Sequence, residues 1–309
     1  MRALSSVFLG GAIMVSGLLA IPMEARAADP SCRVSESAAL IPPSADAAIA
    51  VDVARLTSSE PWRQDGSKLE DDPELKSTLQ ALKRCGLDLT KIDDVWVGVG
   101  DVAGSDNAVA VVNAPGVGSE NAMQCVAAIE SVANKPTKIK RSGCANTLEL
   151  EDGDQLVGLD SDHLAIVSKP WVKTVIRRAR AGERAVGPAA TAKQLSSRSQ
   201  LRFAAELDSA LKQQMGPLGE QVQTLAGSLL VGRTFHGELI ATTRTQSDAA
   251  ELESTLSGYL GLARGFASAA GVPAELFDKV TISSRGNRVI VKFEALYNDL
   301  KRAAESVDK

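Results

Sequence analysis

The chain has 309 residues, a net charge of −4 and 4% aromatic side chains. An acidic balance argues against nucleic acid, which wants a basic surface, and so few aromatics leave little for base stacking or a sugar platform. With two histidines and four cysteines, none of them in a C-x-x-C, the sequence offers no zinc-ligand pattern.

Residues 1–27 read as an export signal. Arg2 is the charged start, 3–22 is apolar, and Ala25-Arg26-Ala27 places small residues where a signal peptidase reads. A retained transmembrane anchor ranks second, because the apolar run is long. Cleavage would remove Arg2, Arg26 and Glu24, taking the net charge from −4 to −5. No later segment is long and apolar enough to span a bilayer. In an oxidising compartment Cys32, Cys85, Cys125 and Cys144 suggest two disulfides among three connectivities. The favoured pairs are Cys125–Cys144, tying a helix to the next strand, and Cys32–Cys85.

After the signal, residues 44–53 form a strand entered through Pro42-Pro43, and 57–72 are polar and irregular. Pro73 starts a helix carrying Leu75, Leu79 and Leu82, which Gly86 ends by taking the left-handed conformation. Val95, Val97 and Val99 alternate with Trp96 and Gly98, the period of a strand. Residues 101–107 are a turn. The apolar run 108–112 is a strand covered on both faces. Ser119 caps a helix reaching residue 133. One or two strands occupy 139–162, with a turn at 151–154, and another strand occupies 163–168. A helix covers 171–181.

Residues 182–199, rich in Ala, Gly, Ser and charge, read as a linker. Beyond it come a strand at 201–207, a helix at 209–225 strained by Gly216-Pro217, and a hairpin of 228–234 with 238–243 turning at His236-Gly237. A long helix at 248–270, a hairpin turning at 285–287 and a final helix complete the chain.

Both parts read strand, helix, hairpin, helix, hairpin, helix. The expected class is α+β, with two tandem β-α-ββ-α-ββ-α halves, 28–181 and 200–309. Each would be an antiparallel-rich sheet with helices on one face, in split βαβ or ferredoxin-like order. Residues 271–282 echo 86–97, as an internal repeat would. The segments IPPSADAAIAVDVARL and DPELKSTLQALKRCGLDLTKIDDVWVGVG resemble a broad group of exported bacterial proteins of unknown function. That resemblance implies the two-half plan and brings no catalytic residues.

Candidate chemistry is sparse. Ser209-x-x-Lys212 and Ser105-Asp106-Asn107 match motifs of penicillin-recognising enzymes, but in reversed order and without K-T-G. Gly98-Val99-Gly100 and Gly116-Val117-Gly118 lack the rest of a phosphate loop and read as turns. Asp160, Asp162, His163 and His236 are potential metal ligands, placed at turns. Lys173, Arg177, Arg180 and Arg184 line a helix face that suits an anionic partner, or plain solvent. Gly258, Gly261, Gly265 and Ala269 form a small-residue strip that could admit a ligand or a second helix at close range, with packing on the sheet the favoured expectation. Asp52 and Glu206, matched by the duplication, would face one cleft if the halves face each other. The reading is an exported, periplasmic or secreted protein binding a ligand or envelope protein between its halves. It assigns no catalytic residue and no cofactor. An envelope hydrolase using carboxylates or a serine, and a structural assembly factor, are the alternatives.

Overall fold

The computed structural model describes residues 32–70, 73–100, 107–130, 138–267 and 273–307. Its core is an α+β arrangement around one twelve-stranded sheet. The strands are β1 (Ala47–Asp52), β2 (Asp94–Val99), β3 (Ala108–Asn113), β4 (Lys140–Ser142), β5 (Ala145–Glu149), β6 (Gln155–Gly158), β7 (His163–Val167), β8 (Leu201–Glu206), β9 (Val222–Leu230), β10 (Thr234–Thr243), β11 (Val280–Arg285) and β12 (Arg288–Leu296). They lie in the order β11-β12-β10-β9-β8-β1-β2-β3-β7-β6-β5-β4.

Every pairing between these strands is antiparallel. The ferredoxin-like order is corrected, because a split βαβ unit sets a third strand between the two strands that flank its helix, whereas β1 pairs directly with β2 and β8 directly with β9. Here helices lie between strands that nonetheless pair side by side. Strands β1 and β8 join the sheet in the middle, with Ala48 opposite Ala204 and Val51 opposite Leu201.

The helices are α1 (Val53–Ser58), α2 (Glu60–Glu70), α3 (Pro73–Arg84), α4 (Glu120–Glu130), α5 (Val172–Ala181), α6 (Gly187–Gln194), α7 (Ser209–Gln214), α8 (Pro217–Gln221), α9 (Gln246–Ala267) and α10 (Tyr297–Val307). The expectation of helices on one face is also corrected. Val175 and Ala179 of α5 and Ala189 and Ala192 of α6 are buried with Ala50, Trp96, Val111 and Ala165. Met123 and Ala127 of α4 are buried with Leu148, Leu156 and Leu164 and pack against Val112. Val111 and Val112 are successive residues of β3 and point to opposite faces, so the sheet is covered on both. On the α4 face, Ala249 and Leu252 of α9 seal a third cluster with Leu207, Ala241 and Val289.

Local signals explain most element ends. Gly86 has φ +80 and stops α3 as expected. The Ser119 hydroxyl accepts the Ala122 amide at the start of α4. Two segments differ from expectation. Residues 57–70, read as irregular, belong to α1 and α2, which start where Asp52 accepts the Arg55 amide and Ser59 accepts that of Trp62, and each side chain satisfies an orphan donor. The helix expected at 209–225 breaks at Gly216, with φ +62, and β9 begins at Val222. The hairpin turn that follows therefore lies at 231–233, and His236 stands inside β10 rather than at a turn. Residues 182–199, read as a linker, carry α6 with Ala189 and Ala192 fully buried.

All four cysteines are in disulfides, paired Cys32–Cys144 and Cys85–Cys125. The favoured pairing is thus corrected. Cys85 follows α3, which packs beside α4 carrying Cys125. The Cys32 amide bonds the Leu159 carbonyl, which anchors it near the start of β5 instead.

Candidate binding groove

The expected residues disperse across the sheet. Asp52 ends β1 and caps α1, with the Arg55 guanidinium 3.2 Å away. Glu206 ends β8. Because the two strands run antiparallel, the Asp52 amide reaches the Gln200 carbonyl at one end and the Glu206 amide reaches the Asp46 carbonyl at the other. Six residues of extended chain put the two carboxylates about 20 Å apart. They do not share a cleft.

His163 and Asp160 do meet. Asp160 accepts the amides of Asp162 and His163, and its carboxylate lies 2.9 and 3.0 Å from His163 Nδ1. Burial raises the Asp160 pKa, but these bonds outweigh it and leave the group below the usual carboxylate value. The register aligns Asp52, Asp94, Asn113 and His163 on four adjacent strands, with Asn113 donating to Asp94 at 2.9 Å. This row is a polar border to the α5 face. It contains no hydroxyl or thiol nucleophile. His236 lies on the other side of the sheet's midline, beside Glu294 at 3.4 Å. Among the described residues no group of three or more His, Cys, Asp or Glu side chains is placed to hold a metal.

The remaining motifs are explained by packing. A Cβ on Gly98 would stand 2.7 Å from Ile41, and one on Gly100 2.7 Å from the Trp171 ring. A Cβ on Gly118 would overlap the Asp160 carbonyl oxygen. Ser209 and Lys212 sit on the short α7, while Ser105 and Asp106 lie outside the described residues. Lys173, Arg177 and Arg180 of α5 are exposed, as is Arg184 beyond it, and Arg177 pairs with Glu183 at 2.9 Å. Sequence reasoning missed Arg178 between them. It is buried and donates to the Ala39 carbonyl, Glu183 and the Arg184 carbonyl. Its partner Glu183, five residues on, was the available signal. Gly258, Gly261 and Gly265 do not pack on the sheet; nothing lies within 4 Å of where their Cβ atoms would be. Ala269 lies outside the described residues.

What sequence reasoning did not find is a groove of about 740 Å³ on the face that carries α5 and α6. Helix α6 covers this face over β1 and β8 and leaves it open beyond. Two rows of side chains make the floor. One runs Ser228, Glu238, Lys292, Thr281, and the other Leu230, His236, Glu294, each across β9, β10 and β12. Ser196 and Ser199, after α6, form one wall, and Leu296 and Asp299 at the start of α10 form another. Charges alternate along the floor, with Lys292 3.7 Å from Glu238. Most of these side chains keep access to solvent, so a bound molecule would meet both signs of charge, hydroxyls and two leucines. The only signal for this floor was the polar alternation of 236–238 and 292–294.

No family model matches the chain, and no curated protein matches it. Its fold is similar to the solved structure of TP0453 (crystal form I), with a TM-score of 0.51 and 12% identity over 88% of this chain and 97% of that one. At that identity the likeness concerns the fold alone. No helix of the described residues is long and apolar enough to cross a membrane.

Proposed function

We propose that this is an exported, non-catalytic binding protein of the periplasm or exterior, built from two related α+β halves. Its groove over β9–β12, beside the connector between the halves, takes a ligand or an envelope protein. The observation that carries the reading is the open sheet face itself, where the other half's equivalent face is sealed by α5 and α6. Two disulfides support an oxidising compartment. The fourfold mix of acid, base, hydroxyl and apolar groups suits recognition.

The test combines two measurements on mature protein purified unreduced from its own envelope. A native mass spectrum should show extra mass that leaves on unfolding, and Ser228→Trp, which fills the floor, should abolish it. A photo-crosslinking residue at Thr281 should capture a partner in cells, while one at exposed Lys193 on α6 should not. A bare mass together with no adduct at Thr281 would overturn the proposal.

A further inference from the structure

The two edges of the sheet are finished differently. At one end β4 is 3 residues long, two of them Lys140 and Arg141. At the other, β11 runs 6 residues. From Val280 to Ser284 it holds no charge and no proline, and its register with β12 is unbroken. Sheet edges are blunted by shortness, charge, proline or a bulge, so β4 is protected and β11 is not.

The ladder identifies the free groups. Arg285 and Arg288 close a two-residue turn as a hydrogen-bonded pair, and the pattern alternates back along β11. Thr281, Ser283 and Arg285 therefore bond β12. Ile282 and Ser284 turn their amides and carbonyls outward, together with the Val280 carbonyl, and no other backbone group of the described residues meets them. The Val280 amide is taken by Phe277. Ile282 packs with the α9 cluster, whereas Thr281 lines the groove, so Ser283 and Arg285 share the groove face. On that face Arg285 stands directly opposite Arg288 and Thr281 opposite Lys292, and Lys279 lines the groove just before the strand. Lys292 has Glu238 as a partner. Lys279, Arg285 and Arg288 are exposed and pair with no acid among the described residues. Like charges directly opposite one another are unfavourable, and a carboxylate laid beside them would relieve that.

We propose that the partner of the groove is an acidic, extended polypeptide segment that joins the sheet as a new edge strand beside β11. This rests on the groove reading and names its occupant. Outward amides and carbonyls at strand spacing are matched by another strand. A segment with carboxylates at alternate residues would set them all on the groove face, beside Lys279, Arg285 and Arg288, with its other side chains next to Val280 and Ile282. A second copy of the chain fits worse. The antiparallel register that overlaps β11 most fully centres on Ile282 and sets Lys279 opposite Arg285 twice.

The probe is a capped peptide, (Glu-Val)5, with (Lys-Val)5 as its counterpart. Fluorescence anisotropy on the mature protein should show the acidic peptide binding at least tenfold tighter. Hydrogen exchange read by NMR should slow at the Ile282 and Ser284 amides by at least tenfold when it binds. Ser284→Pro, which deletes an outward amide, and the double variant Arg285→Glu, Arg288→Glu should each weaken binding at least tenfold. Ser284→Ala, which keeps the amide and loses only the bond to Glu253, should not. No preference for the acidic peptide, edge amides that exchange as before, or indifference to the double charge reversal would each overturn the inference. So would self-association that protects the same amides without peptide, which would make a second copy the occupant. A cellular adduct at Thr281 alongside freely exchanging edge amides would sink this inference alone; a bare native mass with no adduct would sink the groove reading as well.

Discussion

Asp65 on α2 accepts the hydroxyl proton of Tyr297, 232 residues further along the chain. Lys301 adds an ion pair at 3.0 Å and Lys68 another at 2.5 Å, while the Tyr297 ring stacks on Phe235. The first helical layer is thereby clipped to the last helix.

That clip has a pH signature. Lys68 above all, then Tyr297 and Lys301, hold the Asp65 carboxyl well below its ordinary 3.8. A depressed carboxylate stabilises the fold above its unfolded pKa and loses that contribution as pH falls through the folded value. Asp65→Asn should melt below wild type by a constant margin from pH 5 to 8, and the margin should close below about pH 4. Melting curves across that range check it, and a margin that ignores pH would refute it. In the same structure, the Asp65 bond raises the Tyr297 phenol, so ultraviolet titration should show one tyrosine ionising above the ordinary 10.0.

Removing Arg178 should be costly. Its guanidinium is desolvated, which lowers its pKa, and Glu183 opposes that shift. Arg178→Met would leave Glu183 and the Ala39 and Arg184 carbonyls short of donors. Breaking such a buried pair costs about 3–5 kcal/mol. Arg178→Lys keeps the charge but not the three-way fork and should cost about 1–3 kcal/mol. Urea unfolding measures both, and a loss under 1 kcal/mol for Arg178→Met would contradict the geometry.

The two disulfides should differ in weight. Cys32–Cys144 closes 112 residues and Cys85–Cys125 closes 40. Loop-closure entropy gives about 5 and about 4 kcal/mol respectively. Intact mass should rise by four hydrogens on full reduction, and peptide mapping should recover these pairs rather than Cys125–Cys144. The Cys32→Ser, Cys144→Ser variant should be the less stable of the two double mutants.

Gly118→Ala should destabilise by more than the usual 1 kcal/mol for a misplaced methyl, because the added carbon has only backbone to displace. The Asp160 turn would be pushed away from α4, so chemical shifts of His163 should move as well. Gly258→Ala, with open space around it, should instead be neutral or slightly stabilising.

Element identity was legible wherever a local rule was complete. Gly86, Ser119, the valines of β2 and the 286–287 turn each announce their own backbone. The charged side chains at 236–238 and 292–294 announce a wet face only after their pairing is known, and the groove exists only through that pairing. Cysteine pairing failed for the same reason: Cys32 lies nearest Cys144 through a contact between the chain's beginning and β5. The position of Arg178 was hidden by its exposed basic neighbours, since a helix with three surface cations gives no hint that a fourth points inward.

The ladder between β1 and β8 makes the whole chain one mechanical object. Solvent that reached Ala48 and Ala204 would wet both lobes in the same event, so calorimetry should record one peak where a tethered pair would give two. A protease nick in the exposed stretch before α6 would cut the covalent path yet leave the pieces zipped edge to edge. They would travel together on a sizing column and part only in denaturant.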